Sequence, residues 1–104
     1  MEKIDNLKYQ EVYYQETLDN GLKVIIWHKP DYSNSMFCFA TPFGALNLKL
    51  KTGEQEYSFH SGVAHFLEHK MFESENHQDV MDDFTAMGCN VNAFTGYNET
   101  VYYF

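Results

Sequence analysis

The sequence predicts an α+β fold, an antiparallel sheet with helices packed on one face, and three observations lead there. An Asn-Gly turn joins two β-rich runs near the start. Two proline-free segments of helical length follow in the second half. Short β-rich runs stand before and after those helices, so strands and helices are grouped rather than strictly alternating.

Val12 to Leu18 and Leu22 to His28 flank Asp19-Asn20-Gly21. Asn-Gly supplies the positive φ angles of a tight turn, so this is a hairpin. Lys29 to Asn34 reads as a loop, and the aromatic-rich run Met36 to Phe43 as a strand. Leu46, Leu48 and Leu50 alternate with Asn47, Lys49 and Lys51, the pattern of a half-buried strand. After a polar loop around Gly53, Ser61 to Glu73 is apolar on most sides and reads as a largely buried helix. A second helix runs from about Asp79 to Met87, with Val80, Phe84 and Met87 on one face, acids in its first turn and Gly88 as its stop. Asn90 to Phe94 and Thr100 to Phe104 are strands joined through Gly96-Tyr97-Asn98. The chain ends on Val101-Tyr102-Tyr103-Phe104 without polar tapering, which reads as a truncation. Residues 1–104 are thus expected to be the N-terminal part of one incomplete domain.

Composition narrows the function. With 44% apolar residues the chain can build one core, and its net charge of −8 carries no Lys/Arg cluster. Nucleic acid and anionic membranes are therefore poor partners. Glu2, Lys3, Asp5 and Lys8 occupy the start, where a signal peptide would need an apolar region. No apolar run is long enough to span a bilayer. Cys38 and Cys89 match no small secreted disulfide framework and read as reduced, buried thiols, which points to the cytoplasm.

The chemistry lies in His65-Phe66-Leu67-Glu68-His69. Helix positions i and i+4 share a face about 6 Å apart along the axis, so two imidazoles can converge on one ion. Zinc accepts imidazole nitrogen at roughly 2.0–2.1 Å. Glu68 shares the face of His65 and can take a proton from a metal-bound water as general base. The pattern arises by chance roughly 2% of the time in a chain of this composition, so its context matters. Buried imidazoles and a buried carboxylate each cost a few kcal/mol unless paired. A metal supplies that pairing, and so does a metal-free network of His and Glu. His28, His60 and His77 lie outside the motif and read as surface or satisfied core residues.

The stretch Gly62-Val63-Ala64-His65-Phe66-Leu67-Glu68-His69-Lys70-Met71-Phe72-Glu73 resembles the zinc helix of the pitrilysin/insulin-degrading-enzyme peptidases, the inverzincins. Asn92-Ala93-Phe94-Thr95 and Glu99-Thr100-Val101-Tyr102 resemble the strands beside that family's active site. The resemblance covers most of the chain. It implies zinc as cofactor, His65 and His69 as ligands, Glu68 as catalytic base, and Asn92 and Ala93 on an edge strand that holds the substrate backbone. Read without the resemblance, Asn92 is equally an ordinary strand-end residue. The family's third ligand is a glutamate on a later helix, beyond residue 104, so the resemblance implies that this piece alone is inactive. Glu73, Glu75 and Glu99 do not match that ligand.

The expected function is therefore a zinc-dependent endopeptidase acting on peptides, unfolded polypeptide or precursor segments, as a homodimer or beside a related peptidase subunit. The rival is a non-catalytic structural or substrate-binding subunit of a two-component peptidase. Intact His65, Glu68 and His69 weigh against it.

Overall fold

The computed structural model describes residues 1–74 and 79–104, which divide into two compact units, Met1–Ser35 and Met36–Phe104. Glu75 and His77 lie outside the described residues.

The first unit is an antiparallel meander of β1 (Glu2–Asn6), β2 (Glu11–Thr17) and β3 (Lys23–Ile26), in that order. The predicted hairpin forms, as a three-residue turn in which Gly21, and not Asn20, takes a positive φ. Gly21 has φ 86°, its N–H donates to the Leu18 carbonyl at 2.8 Å, and the Asn20 Oδ1 accepts from the Leu22 N–H at 3.0 Å. Strand β1 escapes the sequence reading because Glu-Lys-Ile-Asp-Asn is polar and poor in β-formers. Its pairing with β2, Ile4 opposite Tyr13, makes it a strand. Glu11 accepts from Trp27 Nε1 at 2.9 Å and from Lys29 Nζ at 2.5 Å, and the same ammonium lies 4.3 Å from the Trp27 ring centroid. The Lys29 and Trp27 hydrogen bonds hold the Glu11 carboxyl below its ordinary pKa.

In the second unit β4 (Cys38–Thr41), β8 (Thr100–Tyr103) and β7 (Asn92–Thr95) form an antiparallel sheet in the order β4-β8-β7. A separate hairpin pairs β5 (Lys49–Thr52) with β6 (Gln55–Ser58). Between the hairpin and β7 lie helices α1 (Val63–Lys70) and α2 (Val80–Ala86). The described strands thus lie in three antiparallel sheets, where the sequence suggests one. Tight local turns account for this: β1-β2-β3, β5-β6 and β7-β8 are all neighbours in sequence, and only β4 with β8 is a long-range pairing.

Gly53, expected in a polar loop, is instead the first residue of a two-residue hairpin turn at φ 63°. Strand β5 is exposed throughout rather than half-buried, and Leu46 and Leu48 precede it outside any strand. Helix α1 is shorter than expected and far from buried: Ala64 is 4% exposed, whereas Phe66 and Leu67 are 60% and 48% exposed. Among the described residues β7 and β8 are the elements packed most closely on this helix, so one stripe of it is shielded. Helix α2 matches its prediction closely. The Asp79 side chain caps its N-terminus by accepting from the Met81 N–H at 2.8 Å. Gly88, at φ 80°, ends it in a Schellman motif, with Gly88 N–H bonded to Thr85 O and Cys89 N–H to Phe84 O. Val80 and Phe84 are half-covered, but Met87 is exposed. Cys38 and Cys89 are free, as expected, yet exposed rather than buried. Among the described residues no helix is long and apolar enough to cross a membrane.

The most tightly fitted part of the second unit is the clamp of Phe43–Leu46 on the β7–β8 turn. Ala45 N–H donates to Gly96 O and Leu46 N–H to Tyr97 O, both at 2.9 Å, while buried Thr100 donates its hydroxyl to Phe43 O at 2.7 Å. Gly44 is also buried, and a Cβ there would lie 2.6 Å from Glu99 N and 2.7 Å from Gly96 O. Phe43 and Phe59 meet edge to face at 5.8 Å beside the clamp.

Gly44→Ala is expected to destabilise the second unit by about 1–3 kcal/mol, because rigid backbone cannot move aside as a side-chain tip would. Urea unfolding together with lost exchange protection at the Ala45 and Leu46 amides measures this. In the first unit the folded Glu11 pKa lies below its unfolded value. Its stabilisation is therefore present above the ordinary carboxylate pKa and is lost as pH falls through the depressed folded value. A carboxyl-carbon NMR titration should find the Glu11 midpoint low, and Lys29→Met should raise it toward the ordinary range.

Candidate functional site

Helix α1 carries His65, Glu68 and His69 on its exposed and half-covered sides. Gly62, at φ 93°, starts it without a side-chain cap, and His69 and Lys70 stand in the last turn, where positive charge complements the helix dipole. One helical turn separates the two imidazoles. Their rings stack at 4.8 Å with 14° between planes, and their Nε2 atoms approach to 2.9 Å. Both rings are exposed, so the cost of burying an unpaired imidazole is not what argues for a metal here. Convergence of the two nitrogens is.

That convergence fits a chelating pair. Two nitrogens about 2.0–2.1 Å from a tetrahedral ion are roughly 3.3 Å apart, within a few tenths of an ångström of the observed separation. Ligation needs both Nε2 atoms unprotonated and each Nδ1 carrying the proton, which neutral imidazole permits. Without an ion, one Nε2–H can donate to the other Nε2, so the pair is also satisfied alone. Among the described residues no group of three His, Cys, Asp or Glu side chains gathers around one point. The donor set that converges among the described residues is therefore two imidazoles.

Glu68 is half-covered and turned toward the sheet. The Thr95 hydroxyl, from strand β7, donates to its Oε2 at 2.5 Å across 27 residues of sequence. Thr95 is opposite Thr100 and Ala93 opposite Tyr102, and all four share the sheet face toward α1. On that face the Tyr102 ring lies 5.8 Å from Phe72. Burial pushes the Tyr102 phenol above its ordinary pKa, and the Glu68 carboxylate raises it further.

Asn92 is exposed on the opposite face and does not meet the His pair; its Oδ1 accepts from the Ala93 N–H at 2.9 Å. The ladder pattern shows where the backbone of β7 points. Gly96 N–H donates to Glu99 O, and Phe37 and Phe104 exchange both backbone bonds. By alternation Tyr102 bonds toward β4, which leaves Ala93 and Thr95 with backbone groups directed away from β8, at the open edge. Among the described residues β7 pairs with β8 alone. His28 and His60 are exposed surface residues.

With this geometry in view, comparison with known proteins is decisive. The family model for insulinase, peptidase family M16, matches residues 40–104. The chain belongs to that family. A putative M16-like peptidase from Alicyclobacillus acidocaldarius has a similar structure, with TM-score 0.78 and 37% identity over 88% of this chain and 21% of that one. An uncharacterized zinc protease of Bacillus subtilis, YmfH, is 35% identical over 97% of this chain and 24% of its own length. The probable zinc protease PqqL of Escherichia coli is 38% identical over 82% of this chain and 9% of its own length. The chain thus spans at most about a quarter of these M16 relatives, and the α+β arrangement of antiparallel sheets with two helices is common ground with the solved one.

The M16 resemblance read from the zinc-helix motif is therefore correct. In the sequence Thr95 and Tyr102 stand only as parts of strands that resemble the family's, with no role of their own. Alternation of Ala93 and Thr95 hints that the two share a face, yet nothing in the sequence aims that face at Glu68.

Glu68→Gln should lower the Tyr102 titration midpoint while leaving it above the ordinary tyrosine value, because desolvation is the larger cause. Ring-carbon NMR titration reads this directly. A midpoint that fell fully to the ordinary value would show burial not to be the leading cause.

Proposed function

We propose that the whole protein is a zinc-dependent endopeptidase in which His65 and His69 are metal ligands and Glu68 is the general base. The observation that carries this reading is the approach of the two Nε2 atoms to 2.9 Å, one turn apart, on the helix that also presents Glu68. The names of the zinc proteases among its relatives support the choice of metal.

Zinc, when bound, supplies Lewis acidity toward a scissile carbonyl and makes water acidic enough to attack near neutral pH. His65 and His69 each present an Nε2 lone pair from one rigid helix, so distance and direction are set together. Glu68 takes the proton of the attacking water at Oε1, the oxygen not engaged by Thr95, and passes it to the leaving amine. Ala93 and Thr95, with backbone groups at the open edge of β7, add an extended peptide as a further strand. Asn92 releases the Ala93 N–H to that peptide and can bond its backbone in turn. Main-chain recognition of this kind suits peptides, unfolded polypeptide or precursor segments of varied sequence.

Residues 1–104 form the first part of a single peptidase domain in this reading, with α1 and α2 on one face of its sheet. A glutamate beyond residue 104 completes the ligand set, and the 104-residue piece alone is inactive because two imidazoles hold zinc weakly. The protein acts in the cytoplasm, as a homodimer or beside a related subunit.

A full-length chain with Glu68→Gln should keep its zinc and lose peptide hydrolysis by about 10²–10⁴-fold, whereas His65→Ala or His69→Ala should lose the metal. Metal analysis and peptide turnover together decide. A wild-type chain that holds zinc but cleaves no unfolded polypeptide would point instead to a non-catalytic subunit.

A further inference from the structure

We infer that Thr95 is a positioning residue for the general base: its hydroxyl holds Glu68 Oε2 and leaves Oε1 to handle the proton. This rests on the reading of Glu68 as the base. The observation is the 2.5 Å contact from Thr95 Oγ1 to Glu68 Oε2, the one side-chain hydrogen bond that α1 makes to the sheet among the described residues.

A glutamate on a half-covered helix has three side-chain torsions, and its carboxylate is otherwise free to rotate. One hydrogen bond to one oxygen removes most of that freedom. The donor is itself well anchored. Thr95 is the last residue of β7, opposite buried Thr100, whose hydroxyl is bonded to Phe43 O. Gly96, the next residue, is held by Ala45 through its carbonyl and by Glu99 through its N–H. The clamp on the β7–β8 turn therefore fixes the backbone from which the hydroxyl reaches the helix.

A hydroxyl suits this position because it supplies an O–H donor that an oxygen of either the ionised or the neutral carboxyl can accept. It donates to Oε2 both while the carboxylate is ionised and once Oε1 carries a proton, so the contact survives both halves of a proton shuttle. A second property follows from the strand. The side chain of Thr95 faces α1 while its backbone groups face the open edge, so one residue serves the base and the docked peptide through separate atoms. Removing the hydroxyl should disturb the first without the second.

The test compares Thr95→Val, which keeps shape and strand preference, with Thr95→Ser, which keeps the hydroxyl. In the full-length protein Thr95→Val should lower kcat on the order of 10–100-fold with KM and zinc content unchanged, and Thr95→Ser should restore most of it. A readout independent of turnover is the Thr95 hydroxyl proton in metal-free protein, expected as a slowly exchanging NMR resonance that disappears in Glu68→Ala. Wild-type kcat in Thr95→Val, with Glu68→Gln inactive, would overturn the role of Thr95 and leave the base assignment standing. Loss of zinc or a rise in KM in Thr95→Val would also overturn it, by showing a structural effect. Full activity in Glu68→Gln would remove the base and, with it, this inference.

Discussion

The hydrogen bond between Thr95 and Glu68 ties the helix that bears the candidate ligands to the sheet that would receive a substrate. The candidate site of the second unit lies on either side of it. On the helix side, the i and i+4 spacing brings the two imidazoles together with no help from outside the helix. On the sheet side, the clamp of Phe43–Leu46 on the β7–β8 turn holds Thr95 in place. That contact joins the two halves, and the pairing of Phe72 with Tyr102 lies beside it.

The exposure of α1 bears on how such a site is built. A metal-binding helix is expected to be interior, but here β7 and β8 shield one stripe and leave Phe66 and Leu67 outward. The apolar surface of this segment exceeds what the chain's own strands can cover. The aromatic rings of Phe37, Phe104 and Phe84, with centroids 5.2 and 4.9 Å apart in succession, form a further apolar contact within the second unit.

Local rules were legible in the sequence wherever a few neighbouring residues decide the conformation. The hairpin at Asn20-Gly21 and the Gly88 stop each act over one turn, and each appears where the sequence places it. Readings that depended on what lies across the fold were less secure. Strand β1 is too polar to announce itself and exists through its pairing, and β5 has the alternation of a half-buried strand but no layer over it. Cys38 and Cys89 are exposed for the same reason: an apolar-looking neighbourhood in sequence does not bury a residue unless another element arrives to cover it.

For the site, the sequence by itself determined the pair of imidazoles that are candidate ligands and the carboxylate beside them, because a helix converts spacing directly into geometry, and it pointed to the M16 family through that same helix. Only the tertiary structure decided which groups meet Glu68. The contact to Thr95 spans 27 residues and depends on the register of β7 against β8 and on the direction in which α1 crosses them. Those are set by long-range packing, and a pattern of residues along a chain does not encode them locally.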